Sequence, residues 1–446
     1  METRKDSGQL EIIYSSPNLL VTNERNARTH SKHQIRQIGN SISQFGFTNP
    51  VLVDNKNTII AGHGRVAAAR LLGIDQVPTI RLEALREDQI RAYVIADNRL
   101  AEMAGWDKSI LAIELQHLVT LDSHLSLDAA VTGFEIPEID VLLEEAKETK
   151  PDTEDILEID EAALPITQTG DLWQLGKHRV LCANSLAPGS YKALMNSRFA
   201  NLVFVDPPYN LIIDGNAAGH GGIRRREFMM ASGEMDDAEF AAFLAQALAL
   251  LARHSSSNSV HFVCMDWRHL GQLLAAGKQT YKSLLNVCVW VKDNGGLGSF
   301  YRSRHELVFV FQKGKGRFRN NIQLGRYGRC RSNVWEYPST RVVSRRSEEG
   351  NLLTAHPTTK PVAMVVDALL DCSARADVVL DSFLGSGTTL IAAERVGRIC
   401  YGIEIDPLFV DVAIRRWQKH TGDFAIHTVT NKRFDEIAAV AEVNRG

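Results

Sequence analysis

A short apolar run that ends in an acid and opens into a glycine-rich turn restricts the fold of this chain more than any other feature. Val378-Val379-Leu380-Asp381 leads into Ser382-Phe383-Leu384-Gly385-Ser386-Gly387-Thr388-Thr389, and helical spacing follows. This order predicts a strand, a turn and a helix. Gly385 and Gly387 tolerate positive φ and let a ligand lie against the main chain, although such a turn also serves as a purely structural helix entry.

The next apolar run, Cys400-Tyr401-Gly402-Ile403, ends in a second acid, Glu404. Glu404 lies about 20 residues beyond the glycine turn, the position from which an acid accepts hydrogen bonds from ribose hydroxyls in doubly wound sheets. No lysine of the P-loop kind follows the second glycine. We therefore expect one nucleoside to span both loops.

A second loop is rich in hydrogen-bond acceptors. The apolar run Leu202-Val203-Phe204-Val205 leads directly into Asp206-Pro207-Pro208-Tyr209-Asn210. Prolines fix φ and remove amide donors, so the loop is rigid and presents the Asp206 carboxylate and the Pro207 carbonyl beside an aromatic ring. Alone, these residues are as well explained by a strand that stops at prolines. Together with the glycine turn, they favour a site for the amino group of a planar base.

Strand-like and helix-like runs alternate through the second part of the chain, which predicts an α/β fold with a largely parallel sheet. Two further β-rich runs, 286–291 and 306–311, are separated by a glycine-rich loop and predict a hairpin added to one edge of that sheet. The remaining predicted strands are 200–205, 259–264, 378–380 and 399–403, and the predicted helices are 237–253 and 388–396.

The chain of 446 residues exceeds what one hydrophobic core usually organises. Between Glu144 and Glu161, nine acids face only two lysines, and Pro151 interrupts any preceding helix. We therefore predict an amino-terminal domain over 1–143, an acidic linker over 144–169 and a second domain over 170–446. In the first domain, Ser31 is placed to cap a helix that reaches Phe45, and 50–54 with 58–61 form a hairpin.

The net charge of −3 requires any nucleic-acid contact to come from a local patch. The six cysteines contain no C-x-x-C pair and the histidines no metal-ligand spacing, so we predict neither metal nor disulfides. No apolar run approaches the roughly 18 residues of a membrane span. The expected location is cytoplasmic and nucleoid-associated, without membrane contact.

The segment from Gly170 to Arg416 resembles the amino-group DNA methyltransferases of the permuted motif order, in which the catalytic loop precedes the cofactor loop. The resemblance implies a Rossmann-like S-adenosylmethionine-dependent methyltransferase fold with an edge β-hairpin. Several motifs carry it in the expected order: 170–176 with 182–185, Asp206 to Tyr209, His356-Pro357-Thr358-Thr359-Lys360-Pro361, 381–389 and 402–404.

The resemblance implies S-adenosylmethionine as cofactor and catalysis by Asp206, Pro207, Pro208 and Tyr209. Thr358 and Lys360 are expected at the methionine carboxylate and Glu404 at the ribose. Asn184 departs from the family, which more often has Asp near the cofactor adenine; Asn keeps one acceptor and adds donors. The full set of expected cofactor residues is Asn184, Ser185, Thr358, Lys360, Asp381, Phe383, Gly385, Ser386, Gly387, Thr388 and Glu404.

A basic stretch lies where this family carries its target-recognition region, here 313–350. From Lys313 to Arg346, ten Lys or Arg residues face a single acid, Glu336, and aromatic residues are interleaved. Such a run is often a solvated face, but in this position we expect contact with the phosphates of double-stranded DNA. The expected DNA-binding residues are Arg326, Arg329, Arg331 and Arg341.

The first domain resembles the amino-terminal α+β domain of the ParB and sulfiredoxin superfamily over about residues 10–105. The hairpin and the turn Gly62-His63-Gly64-Arg65 carry this resemblance, which implies a nucleotide or anion site at Gly62, His63, Gly64 and Arg65. The chain has no cysteine before Cys182, which excludes sulfiredoxin chemistry. Nucleotide binding, DNA binding and simple packing remain open for this domain.

The expected activity is site-specific transfer of a methyl group to the N6 amino group of adenine in DNA, by base flipping and direct attack. Asp206 favours adenine because the family's cytosine members more often have Ser there. The alternatives are an N4-cytosine methyltransferase and a non-catalytic ParB-like DNA-binding adaptor. The sequence leaves open the recognised DNA word, a homodimer, and an accompanying restriction enzyme.

Overall fold

The structure is a computed structural model that describes residues 10–125, 129–146, 164–210, 233–292, 300–325, 329–338 and 360–443. The chain divides into two compact units, Met1–Lys147 and Glu148–Gly446. Each unit has its own buried apolar core. No helix among the described residues is long and apolar enough to cross a membrane.

The first unit contains a four-stranded sheet in the order β1-β4-β2-β3. The two inner strands are parallel and both outer pairs are antiparallel. Its elements are β1 (Ile12–Ser15), α1 (Lys32–Phe45), β2 (Val51–Val53), β3 (Ile59–Ala61), α2 (His63–Leu72), β4 (Val77–Arg81), α3 (Glu87–Met103), α4 (Lys108–Leu125) and α5 (Ile136–Glu145).

Local sequence signals explain most of this unit. The Ser31 side chain accepts a hydrogen bond from the Gln34 amide and so caps α1, as the sequence predicts. The predicted hairpin is formed by β2 and β3. Helix α2 begins at His63, directly after Gly62, which adopts the left-handed conformation with φ 104° and ends the preceding strand. The predicted turn therefore forms the first turn of the helix.

The second unit is built on a ten-stranded sheet in the order β11-β9-β10-β8-β7-β12-β13-β6-β5-β14. Its strands are β5 (Leu172–Leu175), β6 (His178–Cys182), β7 (Ala200–Val205), β8 (Ser255–Met265), β9 (Ser283–Val291), β10 (His305–Gln312), β11 (Val334–Glu336), β12 (Val378–Asp381), β13 (Ile399–Glu404) and β14 (Ala425–His427). Its helices are α6 (Pro188–Met195), α7 (Asp237–Arg253), α8 (Leu270–Thr280), α9 (Val362–Cys372), α10 (Thr388–Arg395), α11 (Pro407–Thr421) and α12 (Phe434–Val443).

Five neighbouring strands, β8-β7-β12-β13-β6, run parallel, which confirms the predicted α/β fold. The predicted hairpin of β9 and β10 is antiparallel and joins this block through β8. Because β10 runs against the block, its first residues lie at the same edge as the carboxyl ends of the parallel strands. The loops after β6, β7, β12 and β13 therefore lie at the same edge as the end of the hairpin where β9 ends and β10 begins.

Candidate active site

The loop expected to be catalytic, Asp206 to Tyr209, follows β7 directly, and we call it the catalytic loop. Asn210 fixes its far end. The Asn210 side chain donates to the Met235 carbonyl at 2.7 Å and accepts from the Gly233 and Met235 amides. Asn210 itself has φ 53°, a conformation that Asn tolerates better than most residues. The segment from Asp206 to Tyr209 is thus held between a buried strand and a hydrogen-bonded anchor.

Both oxygens of the Asp206 carboxylate have donors. The Tyr209 hydroxyl donates to Oδ1 at 2.6 Å, and the Lys360 ammonium donates to Oδ2. Lys360 is only 4% exposed, and its Nζ lies 5.3 Å from the centroid of the Tyr209 ring. The structure therefore places Lys360, expected at the methionine carboxylate, against the catalytic loop. Thr358 lies outside the described residues.

Two residues that the sequence analysis missed complete a buried ion cluster. Lys360 Nζ lies 3.0 Å from Glu306 Oε2, and Lys292 donates to Glu306 Oε1. The Tyr209 hydroxyl is also 3.1 Å from Glu306 Oε2. We call Asp206, Tyr209, Glu306, Lys292 and Lys360 the catalytic ion cluster.

Glu306 had a recognisable signal in the sequence. It directly precedes the apolar run 307–311 of β10 and is itself buried. A buried charge requires a partner of opposite charge. A carboxylate at such a position therefore indicates a cation on or beside a neighbouring strand. Lys292 follows directly after β9 and supplies it.

The cluster shifts the pKa values of its carboxyl groups in opposite directions. Burial raises the pKa of Asp206, and the neighbouring Glu306 charge adds to the rise while Lys360 opposes it. Burial also acts to raise the pKa of Glu306, but the Lys360 and Lys292 ammonium groups outweigh it and hold that pKa at about 2. Glu306 is therefore the permanent anion of the cluster, and Asp206 is the carboxylate whose charge depends on its surroundings.

The glycine loop is shaped by the two acids that end β12 and β13. Asp381 accepts from the Phe383 amide at 3.0 Å and from the Thr389 hydroxyl at 2.6 Å. Glu404 accepts from the Gly385 amide at 2.8 Å. Burial raises the pKa of Asp381 to about 7 and that of Glu404 to about 6. Both predicted cofactor acids thus lie at the loop and hold its backbone in this structure.

The two glycines of the loop differ in what surrounds them. Gly387 has φ 85°, and a Cβ there would lie 2.9 Å from the Ala413 Cβ, so packing requires glycine. Gly385 has φ 53°, and among the described residues no atom lies within 4 Å of where its Cβ would be. The main chain at Gly385 therefore faces space in which a ligand fits, as a nucleoside cofactor requires.

Arg416 of α11, a residue outside the predicted site, anchors the loop. It is 4% exposed, and its Nη1 donates to the Ser386 carbonyl at 3.3 Å and the Thr388 hydroxyl at 3.2 Å. Phe383 packs towards the core, with its ring centroid 6.0 Å from that of Phe243. Arg416 and the packing of Phe383 therefore hold in place the loop on which a cofactor would lie.

Asn184 and Ser185 follow β6 at the same sheet edge. The Ala183 amide donates to the Glu404 carbonyl at 2.8 Å, which places the next residues beside the end of β13. The Asn184 Oδ1 accepts from the Leu186 amide at 2.8 Å, and Ser185 is 3% exposed. In this structure the Asn184 oxygen therefore closes a local turn.

Arg329 and Arg331, two of the expected DNA-binding residues, are ion-paired in this structure. Arg329 pairs with Asp367 and Asp371 at 2.9 and 2.8 Å, and Arg331 pairs with the same carboxylates at 2.8 and 3.0 Å. Their side chains are 9% and 17% exposed. Both arginines hold their segment on α9, where the buried Asp371 requires a cation. Arg326 and Arg341 lie outside the described residues.

The predicted anion site of the first unit lies at the start of α2. His63 Nε2 and Arg65 Nε are buried without a hydrogen-bond partner among the described residues. Burial lowers the pKa of His63, with His30 adding to the effect. A Cβ on Gly64 would lie 2.9 Å from the Ile38 Cδ1, so the helix approaches α1 closely.

Comparison with known families divides the chain into three parts. Residues 200–415 match the DNA methylase family of the N6/N4 type, 109–169 the ParB-methyltransferase HTH domain and 1–98 the ParB N-terminal domain. The second match covers α4 and α5, which the sequence analysis did not recognise as an HTH domain. It also extends into the segment that we predicted to be a linker.

Individual proteins with similarity to the chain follow the same division. The ParB-like nuclease domain-containing protein YnaK of Escherichia coli (strain K12) is 52% identical over 83 residues, 19% of this chain and 95% of that protein. The type II methyltransferase M.HpaI of Haemophilus parainfluenzae is 24% identical over 262 residues, 55% of this chain and 76% of that protein.

Among solved structures, the PvuII DNA methyltransferase (cytosine-N4-specific) superposes with a TM-score of 0.41 at 16% identity, covering 63% of this chain and 94% of that one. In the structure the Asp206 loop after β7 precedes the glycine loop after β12, and both lie within the matched residues 200–415. Over 200–415 the chain belongs to the N6/N4 DNA methylase family, and the ParB N-terminal and ParB-methyltransferase HTH domains precede this part.

Proposed function

We propose that the chain transfers a methyl group from S-adenosylmethionine to the N6 amino group of adenine in double-stranded DNA. The observation that carries the proposal is the partly buried Asp206 carboxylate of the catalytic ion cluster, at the same sheet edge as the glycine loop. Burial raises the pKa of Asp206 and Glu306 adds to the rise, and the Asp206 charge in turn contributes to the raised pKa of Asp381. An acceptor for an amino group and a nucleoside surface thus lie close together.

The residues present fit S-adenosylmethionine. Glu404 offers a carboxylate to ribose hydroxyls, the space at Gly385 admits a ligand against the main chain, and Asp381 offers negative charge. When bound, S-adenosylmethionine supplies an electrophilic methyl group on a cationic sulfur. A bound cation would lower the pKa of Asp381 from its value of about 7 and so favour its ionised form.

The chain's own part in the reaction is to position the amino group. The lone pair of an exocyclic amino nitrogen is delocalised into the base, and acceptors for its two hydrogens draw that lone pair towards the methyl group. We assign these acceptors to Asp206 and the Pro207 carbonyl. Orientation of two reactants contributes roughly 7–11 kcal/mol, more than one hydrogen bond, so geometry should dominate the rate enhancement.

Entry of the base adds a donor at Asp206. One carboxylate oxygen accepts from Tyr209 and the other from Lys360 in this structure. Each oxygen of an ionised carboxylate has a second lone pair, so the amino group can donate to Asp206 beside these partners, and Lys360 also pairs with Glu306. Extruding the base costs a few kcal/mol, and stacking on Tyr209 returns roughly 1–3 kcal/mol.

Adenine is proposed over cytosine because Asp206 stands where the family's N4-cytosine members more often have Ser. N4-cytosine transfer is the second candidate, since that amino group presents the same two hydrogens.

The test uses tritiated S-adenosylmethionine, unmethylated bacterial genomic DNA, and counting of the hydrolysed bases. We expect label on adenine with the wild type and a loss of at least about 100-fold with Asp206→Ala. Asp237→Ala, which removes an exposed carboxylate at the start of α7, should retain activity. Label on cytosine would mean that the methylated base is cytosine and not adenine. Absence of label with folded protein would support the adaptor alternative.

We further propose that the start of α2 binds a nucleotide phosphate. The support is the pair of buried nitrogens on His63 and Arg65, which lie where the helix amides are free to hold an anion. Equilibrium binding of the four ribonucleoside triphosphates should show affinity for at least one. Arg65→Ala should abolish this nucleotide binding. Arg36→Ala, which changes an exposed residue of α1, should not. If none of the four binds, the proposal fails.

A further inference from the structure

Two exposed aromatic rings lie just before β10, on the segment that leads into this strand of the hairpin. Phe300 is 86% exposed and Tyr301 is 81% exposed, the highest values for aromatic residues among the exposed large hydrophobic residues of the described chain. Their ring centroids are 4.5 Å apart with an interplanar angle of 74°. Single exposed apolar residues are ordinary, but two adjacent rings with so little burial need an explanation. We call Phe300 and Tyr301 the hairpin wedge.

The surroundings of the hairpin wedge are positively charged. Arg302 and Arg304 follow it directly and are exposed. Within 265–306, the acids that the structure describes are Asp266 and Glu306, which are 7% and 9% exposed and ion-paired. The described part of this surface combines aromatic rings and cations without an exposed carboxylate between 265 and 306, which fits a polyanion with planar groups.

The hairpin wedge is connected to the catalytic ion cluster by short steps. The Arg304 Nε donates to the Lys292 carbonyl at 3.1 Å, and Lys292 pairs with Glu306. On the other side, the Trp267 indole donates to the Ser303 hydroxyl at 3.1 Å, which ties the start of β10 to the loop after β8. The wedge therefore stands at the sheet edge that holds Asp206.

We propose that the hairpin wedge enters the duplex next to the extruded base, while Arg302 and Arg304 bind the flanking phosphates. This inference rests on the proposed DNA methyltransferase activity. Extrusion leaves a gap in the base stack, and an inserted apolar or aromatic side chain restores part of the lost stacking. This surface lies at the same sheet edge as Asp206, which is assigned to the reacting base.

The test compares methyl transfer to duplex DNA and to the same DNA after heat denaturation, using the full chain. The double variant Phe300→Ala/Tyr301→Ala should lose about ten-fold or more in kcat/KM on the duplex, as expected for loss of base–aromatic stacking. On denatured DNA the loss should be less than about three-fold, because a single strand has no paired base stack in which an extruded base leaves a gap. Tyr301→Phe, which keeps the ring, should retain the wild-type rate on both.

Phe199→Ala is the matched control. Phe199 is 59% exposed but precedes β7 and so lies at the opposite end of that strand from Asp206. Its activity should equal that of the wild type, and all variants should unfold at the same temperature. Equal losses on duplex and denatured DNA, or none on either, would overturn the inference. No transfer by the wild type on any DNA would instead refute the proposed function.

Discussion

At the level of single side chains, the charge of Asp206 depends in part on a neighbour that no motif contains. Burial raises the pKa of Asp206, Lys360 opposes the rise and Glu306 adds to it. The ionised carboxylate is the stronger acceptor for an amino group. In Glu306→Gln the repulsion from Glu306 is gone, so the pKa of Asp206 falls. We expect the acid limb of the kcat/KM pH profile to move to lower pH.

Glu336→Gln is the control for this prediction, because Glu336 is an exposed glutamate on β11 of the same sheet. Its profile should match that of the wild type. If Glu306→Gln lowers the rate equally at every pH, its role is structural and the link to Asp206 is wrong.

The sequence predicted the loops that carry Asp206, Asp381 and Glu404, because each acid directly follows a strongly apolar run. It did not predict Glu306 or Lys292 as their partners. Their pairing depends on the register that aligns Glu306 with Trp290 across β9 and β10, and register follows from the assembled sheet. Arg416 was missed for a similar reason, because it reaches the glycine loop from a helix 28 residues further along the chain than Thr388.

At the level of elements, the contact between α9 and the segment of Arg329 and Arg331 depends on buried charge. Asp371 is 3% exposed and accepts from both arginines. Arg331→Ala leaves Asp371 Oδ2 without its donor while Arg329 still pairs with Oδ1, and an unsatisfied buried acceptor costs about 1–3 kcal/mol. We expect a fall of that size in the free energy of unfolding, measured by urea titration.

Arg319→Ala is the matched control, because Arg319 is exposed in the same basic stretch. It should change the unfolding free energy by less than about 0.5 kcal/mol. A stable Arg331→Ala whose DNA affinity becomes less dependent on salt would instead restore the predicted phosphate contact.

Element boundaries were predicted well where the signal was local and poorly where it was not. The Ser31 cap and the apolar runs of β7, β12 and β13 gave the correct positions. The strands β5 and β14 were missed, since they contain four and three residues and pair antiparallel at the end of the sheet. Such short strands are stabilised by their neighbours, and their own sequence carries little pattern.

At the scale of the whole molecule, the two compact units have separate apolar cores, so they are expected to unfold separately. Calorimetry should show two transitions. S-adenosylmethionine at 100 times its Kd should stabilise only the unit beginning at Glu148, by about 2.7 kcal/mol. A single transition that shifts as a whole would show that the units unfold cooperatively.

The positions of the six thiols have a practical consequence. Of the cysteines, Cys330 alone is exposed, and it lies between Arg329 and Arg331, whose ion pairs hold this segment on α9. A maleimide dye should therefore label the native protein at one place, on a backbone that the ion pairs keep still. Fluorescence from that dye offers a way to follow DNA binding in real time without introducing a new cysteine.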